Sequence, residues 1–333
     1  MSKVIKRLAA AVPVALGVAI VAFLFLRFLP GDPVEIMLGD TNVTQQQIDA
    51  LRREMNLDKP LLEQLWLFLA GVARGDLGYS LVKNQPVAKL ILDTLPATIE
   101  LTFFTVLVAI VIALPVGIVS AVRASSWLDR LVLGTTLVGV SMPAFWFGLL
   151  LILLFSVELG VLPTSGRIPA GVLVEARTGF MLLDTLLAGD LRAFGAALRH
   201  LVLPSVTLGV VFSVVLARVV RSSMVEVMGR DYVTTARSKG LPERVVVIKH
   251  ALRNALIPAL TVTGLQIGEL LGGNMIVETI FSWPGLGRLV VSSIFARDYV
   301  VVQASVMLYA LTYVAVNLVV DVLYTYLNPR IEL

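Results

Sequence analysis

Asp231-Tyr-Val-Thr-Thr-Ala-Arg-Ser-Lys-Gly-Leu-Pro-Glu-Arg-Val-Val-Val-Ile-Lys-His-Ala-Leu-Arg-Asn-Ala-Leu-Ile-Pro258 is the stretch on which the reading of this chain turns. Its local signals predict a short helix over about Tyr232–Lys239. Gly240 stands where a left-handed C-terminal cap is wanted. Pro242 suits the first turn of a following helix, and Glu243 lies beside the positive end of that helix's dipole. Two helices therefore meet at a sharp turn around Gly240. Ala236 and Gly240, four apart, share one face and are both small. Such a face lets a partner's groove approach the backbone closely, with Arg237 and Lys239 flanking it. A basic amphipathic helix resting on anionic lipid fits the same pattern equally well.

Outward from this loop, the chain is unusually apolar. Of its 333 residues 57% are hydrophobic and 15% charged, with a mean hydropathy of +0.89. Soluble domains run near half apolar and a quarter charged, so the bilayer is the natural solvent for this surface. A crossing helix needs roughly 20 apolar residues. Six runs qualify, at about Ala9–Leu29, Ile99–Val122, Leu131–Val157, Leu201–Val220, Leu256–Val277 and Val300–Leu327, and three of them are interrupted by Pro13, Pro115 and Pro143. The first run exceeds a signal-peptide core, and no small-residue cleavage site follows it, so it is read as a retained span.

Positive charge sets the orientation. With the N-terminus inside, the short inner segments collect Lys3, Lys6, Arg7, Arg123, Arg130, Arg218, Arg221, Arg230, Arg237, Lys239, Arg244, Lys249, Arg253 and Arg330. The acids there are Asp129, Glu226, Asp231, Glu243 and Glu332. The remaining bases are spread over longer outer loops, so both termini are expected inside. The long first outer loop, Pro30–Thr98, has turn chemistry at Pro30-Gly31-Asp32-Pro33, then helical periodicity in Gln46–Met55 and Leu61–Val72. The second, Val157–His200, carries a short apolar stretch, Phe180–Leu187, too short to span.

The chemistry the chain lacks is informative. It has no cysteine, which excludes disulfides, thiolate metal sites and cysteine nucleophiles, and only two histidines, His200 and His250. There is no Gly-Lys dipeptide, hence no phosphate-binding loop of the Gly-x-x-x-x-Gly-Lys kind. The acids within spans are scattered, which argues against a membrane-embedded enzyme. Intramembrane polar residues are candidates for a translocation path. Gln266, Glu269 and Asn274 of the fifth span fit that role, with structural pairing or a subunit contact as the competing reading for Glu269. Gly264, Gly268, Gly272 and Gly273 mark a close-packing face on the same span, suited to a partner subunit. Asn317 and Asp321, one turn apart in the sixth span, are read as helix-to-helix hydrogen-bonding groups. Phe281–Arg288 belongs to the outer face, as a gate, a docking surface or an interfacial turn anchored by Trp283; the anchored turn is preferred.

Thr-Ala-Arg-x-x-Gly, followed by His-Ala-Leu-Arg-Asn and Ile-Pro, resembles the cytoplasmic loop motif of binding-protein-dependent ABC importer permeases. Thr234-Thr235-Ala236 stands where that motif usually reads Glu-Ala-Ala, a departure similar to the peptide-permease branch. Leu29-Pro30-Gly31-Asp32-Pro33, Gly75-Asp76-Leu77-Gly78, Phe281–Arg288, Asn317 to Asp321 and Asn328-Pro329-Arg330 extend the likeness over nearly the whole chain. Thr178–Thr185 resembles an insertion in the first permease subunit of dipeptide importers. Glutathione, haem and nickel permeases share much of the pattern.

The resemblance implies an all-α polytopic membrane protein with six transmembrane helices, in the type I ABC importer permease fold. It would divide into residues 1–97, a first span with an outer N-terminal region, and residues 98–333, a five-helix transmembrane domain with a cytoplasmic loop over 221–258. Thr234, Thr235, Ala236, Arg237, Lys239, Gly240 and Leu241 would form the ATPase-coupling element. The implied partners are a second related permease, two cytosolic ATPase subunits and an external substrate-binding protein, in a bacterial inner membrane. ATP and Mg would bind the ATPases, with no cofactor, metal or nucleic acid on this chain.

Overall fold

Apolar runs longer than a soluble core can hide become long helices, because in lipid every backbone polar group must be satisfied within the segment. The structure is a computed structural model that describes residues 2–27, 44–54 and 56–327. In chain order its helices are α1 (Ser2–Arg27), α2 (Gln45–Glu54), α3 (Leu61–Ala73), α4 (Val87–Val122), α5 (Trp127–Ser141) and α6 (Ala144–Leu151), the last continuing as a π-helical segment, Ile152–Glu158. They continue as α7 (Met181–Leu187), α8 (Leu191–Met228), α9 (Asp231–Ser238) and α10 (Glu243–Val245). A second π-helical segment, Val246–Ala251, leads into α11 (Leu252–Leu271), followed by α12 (Met275–Ile280), α13 (Leu286–Phe295) and α14 (Tyr299–Leu327). A two-residue hairpin ladder, β1 (Tyr79–Ser80) with β2 (Gln85–Pro86), precedes α4.

Among the described residues, four helical runs are long and apolar enough to cross a membrane: Val87–Val122, Leu191–Met228, Glu243–Leu271 and Tyr299–Val320. Shorter apolar helices cover Val12–Leu24 and Ala144–Glu158, within the first and third expected spans. The helices α4 and α8 extend well past the apolar runs read from sequence, since hydrocarbon thickness bounds the apolar part of a helix and not the helix itself. Helix α4 is continuous across residues 97 and 98. The helices of the first outer loop lie where periodicity put them, and the short apolar stretch Phe180–Leu187 forms α7, whose Leu182, Asp184 and Thr185 are buried; Pro30–Pro33 falls outside the described residues.

Prolines had uneven effects. Pro13 and Pro115 sit inside unbroken helices. At Pro143 the third span splits into α5 and α6, with Met142 extended at φ −91° and ψ 119°. The residue before a proline is pushed out of the α region. The fifth span ends at Leu271, not Val277: Gly273 is left-handed at φ 86°, and Asn274 begins a separate short helix.

The centre of the fold is α8, packed along α4, with α5, α6 and α11 on its flanks. Gly209 and Gly117 let α4 and α8 approach closely: a Cβ at Gly209 would meet Val108, and one at Gly117 would meet Val220 and the Ala217 carbonyl. One buried apolar cluster (Leu101, Leu201, Leu208, Phe281, Trp283) fills the end nearest the outer loops. Another (Ala113, Leu216, Val220, Met224, Val247, Ala255) fills the end nearest the basic loop. Helix α14 lies across α11 and α1.

The glycine face of α11 meets α14 of the same chain. A Cβ at Gly264 would run into Val320, one at Gly268 would come 2.8 Å from the Tyr313 ring, and one at Gly272 would enter the Tyr309 ring. In this chain these glycines pack against α14.

Candidate coupling site and the polar networks at the two faces

The basic loop forms a bent helical pair. Helix α9 carries Asp231 in its first turn and Arg237 in its last, each matched to the helix dipole. Lys239 closes the helix, and Gly240 then turns the chain at φ 75°, a conformation that costs a residue with a Cβ roughly 1–2 kcal/mol. Pro242 starts the next helix at φ −56°. Across the bend Arg237 donates to both oxygens of Glu243, at 2.7 and 3.1 Å. Both side chains are solvent-exposed, so screening leaves that pair a minor term. The bend is set by packing: Val233, Ala236 and Val246 are buried together, with Val227 of α8 against them. Asn254 adds a 2.8 Å hydrogen bond to the Tyr232 hydroxyl.

This packing corrects one expectation. Ala236 is only 6% exposed and faces inward, so the small face it was expected to offer a partner is closed by Val246. The face open to solvent carries Tyr232, Thr234, Thr235, Arg237, Ser238, Lys239, Gly240 and Leu241. A Cβ at Gly240 would meet nothing within 4 Å. The tip of the hairpin is thus free of its own chain.

The three candidate path residues do not converge. Gln266 is buried and donates to the Phe212 carbonyl of α8 at 3.1 Å. Asn274 caps α12 by accepting from the Val277 N–H. Glu269 is exposed on α11. Asn317 is half-buried on α14, and the side chain of Asp321 lies outside the described residues. A groove of about 660 Å³ opens at the break in the third span, lined by Val138, Ser141, Met142, Pro143, Phe145 and Trp146.

Two polar networks escaped sequence reasoning. At the ends of α4, α5 and α8 nearest the basic loop, Asp129 accepts from Arg221 at 2.5 and 2.7 Å, from the Ser120 hydroxyl at 2.5 Å and from the Ser125 N–H at 2.9 Å. Arg221 is the one formal charge among these donors, and it balances the buried carboxylate. Asp129 and Arg221 each counted only as inner-segment charges, because a partnership across 92 residues leaves no local signal.

At the opposite end of the bundle Trp283 is 1% exposed and donates its indole N–H to the Ala97 carbonyl at 2.8 Å. It is a core residue, not an interfacial anchor. The Arg167 guanidinium lies 5.6 Å from its ring centroid and pairs with Glu100 at 2.6 Å. Glu100 also accepts from the Leu182 N–H, which ties α7 to α4. Glu278, fully buried just beyond the fifth span, accepts from the Thr98 hydroxyl at 3.1 Å and the Arg288 N–H at 3.0 Å. Burial pushes its carboxyl up to about 7. Glu100 was the findable signal: an acid inside the second apolar run, a position that demands a partner.

Comparison with known proteins agrees with this architecture. The family model for the binding-protein-dependent transport system inner membrane component matches residues 113–333, and the model for the N-terminal part of such membrane components matches residues 1–102. The Di/tripeptide transport system permease protein DppB of Pseudomonas aeruginosa is 47% identical over 333 residues, covering 100% of this chain and 99% of its own length. The Dipeptide transport system permease protein DppB of Escherichia coli K12 is 43% identical, over 99% of this chain and 98% of its own. The Glutathione transport system permease protein GsiC of Escherichia coli O6:H1 is 42% identical, over 100% and 99%. Taken with its membrane-length helices, these matches establish that the chain belongs to the inner-membrane permease family of binding-protein-dependent ABC transport systems, a multi-pass bacterial membrane component that works with a substrate-binding protein and ATPase subunits.

Proposed function

We propose that this chain is one half of the translocation path of a dipeptide importer. The observation that carries the reading is the end-to-end likeness to permeases named for dipeptide and di/tripeptide transport. In this reading the spans are α1, α4, α5 with α6, α8, α11 and α14, with both termini in the cytoplasm. The basic hairpin of α9 and α10 then lies at the inner face, as the positive-charge asymmetry demands. The chain pairs with a second, related permease, and two ATPase subunits bind below with the ATP and Mg. An external binding protein delivers substrate from above. The exposed tip from Thr234 to Leu241 docks on an ATPase, and nucleotide-driven closure biases a two-state membrane domain through it. The chain itself is non-catalytic.

The path runs beside the broken third span. Irregular backbone at membrane depth is tolerated where it is buried in protein or lines a water-filled cavity. The break at Met142–Pro143 borders an open groove, so the cavity reading fits. Its apolar walls accept peptides with little regard to side chain, which leaves selectivity to the binding protein.

Glutathione is the second reading, favoured by the 42% identical GsiC. Uptake by the complete transporter in proteoliposomes separates them. Radiolabelled dialanine should enter in an ATP- and binding-protein-dependent way, and excess unlabelled dipeptide should compete where glutathione does not. Competition by glutathione alone would move the assignment to the second reading.

A further inference from the structure

We propose that Asp129 and Arg221 are positioning residues that make the third span move as one body with the hairpin-bearing helix α8. The inference rests on the importer reading above and adds residues to its coupling route. Asp129 gathers donors from three elements: Ser120 of α4, the Ser125 N–H of the α4–α5 turn, and the Arg221 guanidinium of α8. Asp129 is 2% exposed and Ser120 is fully buried. Opening this clasp would leave a desolvated carboxylate without partners, which is far costlier than keeping it closed. Helix α5 also lies close on α8 farther along, where a Cβ at Gly139 would come 2.8 Å from the Val214 side chain. Ser125 itself is held at φ 65°, a conformation that its N–H bond to Asp129 pins in place.

The position of Arg221 gives the clasp its role. It lies about two helical turns before the end of α8. That end carries Val227, which packs on Val233, Ala236 and Val246 of the hairpin. Just below the clasp, Met224 packs with Val247 and Ala251. A displacement of the hairpin therefore moves the end of α8 directly. Asp129 sits in the first turn of α5, and α5 runs from there to the break at Met142–Pro143 that borders the groove. Hairpin, clasp and broken span form one mechanical series, from the ATPase side to the path.

The chain has no cysteine, which permits a direct test in the complete transporter. The ATP hydrolysed per dialanine imported is measured for D129C/R221C before bridging, after bridging with a short bifunctional thiosulfonate, and after reduction. Unbridged, the pair should raise that ratio by about fivefold or more. Bridging should return it toward the unmodified value, and reduction should raise it again. Asp129→Asn, which keeps the shape and loses the charge, should waste ATP in the same way while the complex still assembles. A bridged transporter that no longer imports would overturn the proposal, since the two helices would then have to separate during the cycle. An unchanged ratio in Asp129→Asn would overturn it as well. A wild-type complex that imports no dialanine at all would instead strike the transport reading, because the clasp is read as a ratio among transporters that work.

Discussion

Glu278 and Trp283 show how single residues hold the outer end. Glu278 is an acid with an ordinary value of 4.5 that burial raises to about 7, against the pull of the Thr98 hydroxyl and backbone N–H groups. Its neutral form is therefore favoured in the folded protein. The stability this confers is complete below pH 4.5 and is lost as pH rises through about 7. Thermal unfolding of the purified protein should shift upward on going from about pH 8 to about pH 5, and Glu278→Gln should flatten that slope. A slope of the opposite sign would mean that the hydrogen bonds outweigh burial. Trp283 fills the outer core, and Trp283→Ala should cost roughly 3–5 kcal/mol by denaturant titration. Trp283→Phe, which keeps most of the volume but orphans the Ala97 carbonyl, should cost about 1–3 kcal/mol.

Among the elements, α11 and the α9–α10 hairpin obey different rules. The glycines of α11 are set by what lies on them. Gly272→Ala would drive a methyl group into the Tyr309 ring and should cost roughly 1–3 kcal/mol. Tyr309→Ala in the same chain should recover part of it, and a double-mutant cycle measures the coupling. The hairpin is set by its turn and its inner packing: Val246→Ala should loosen α9 and raise protease nicking near Gly240, even though the Arg237–Glu243 pair survives. Sequence read these elements unevenly. The left-handed turn at Gly240 and the helix at Leu61 were visible, because caps and periodicity are local, whereas Phe180–Leu187 was legible only as an apolar stretch too short to span. Ala236 was legible as small and in register with Gly240, but periodicity says which residues share a face and not what covers it.

At the scale of the molecule the same limit recurs. Apolar runs named the long helices, and charge named the basic loop. The pairs that tie distant parts of the chain together join residues 92 and 67 positions apart, Asp129 with Arg221 and Glu100 with Arg167, and no window of sequence sees them. Nor did the sequence separate Gln266, turned onto α8, from Glu269, turned outward. The path assignment at the broken span is open to thiol chemistry. In the assembled transporter Ser141→Cys should react with a membrane-impermeant maleimide and be protected by dialanine, while Leu153→Cys, exposed on the segment that continues α6, should stay unreactive. Equal silence at both positions would take the groove out of the path.

In the proposed importer the exposed tip around Gly240 receives the ATPase. Gly240 carries a backbone φ of 75°, and a Cβ there meets nothing of its own chain. Gly240→Ala and Gly240→Arg therefore share the same backbone strain and differ only in what projects outward. The measurement is co-purification of the ATPase subunits with each variant, alongside dialanine uptake. Gly240→Ala should keep most of both, and Gly240→Arg should insert normally in the membrane yet lose both. A Gly240→Arg permease that still holds its ATPases and imports dialanine would contradict the claim.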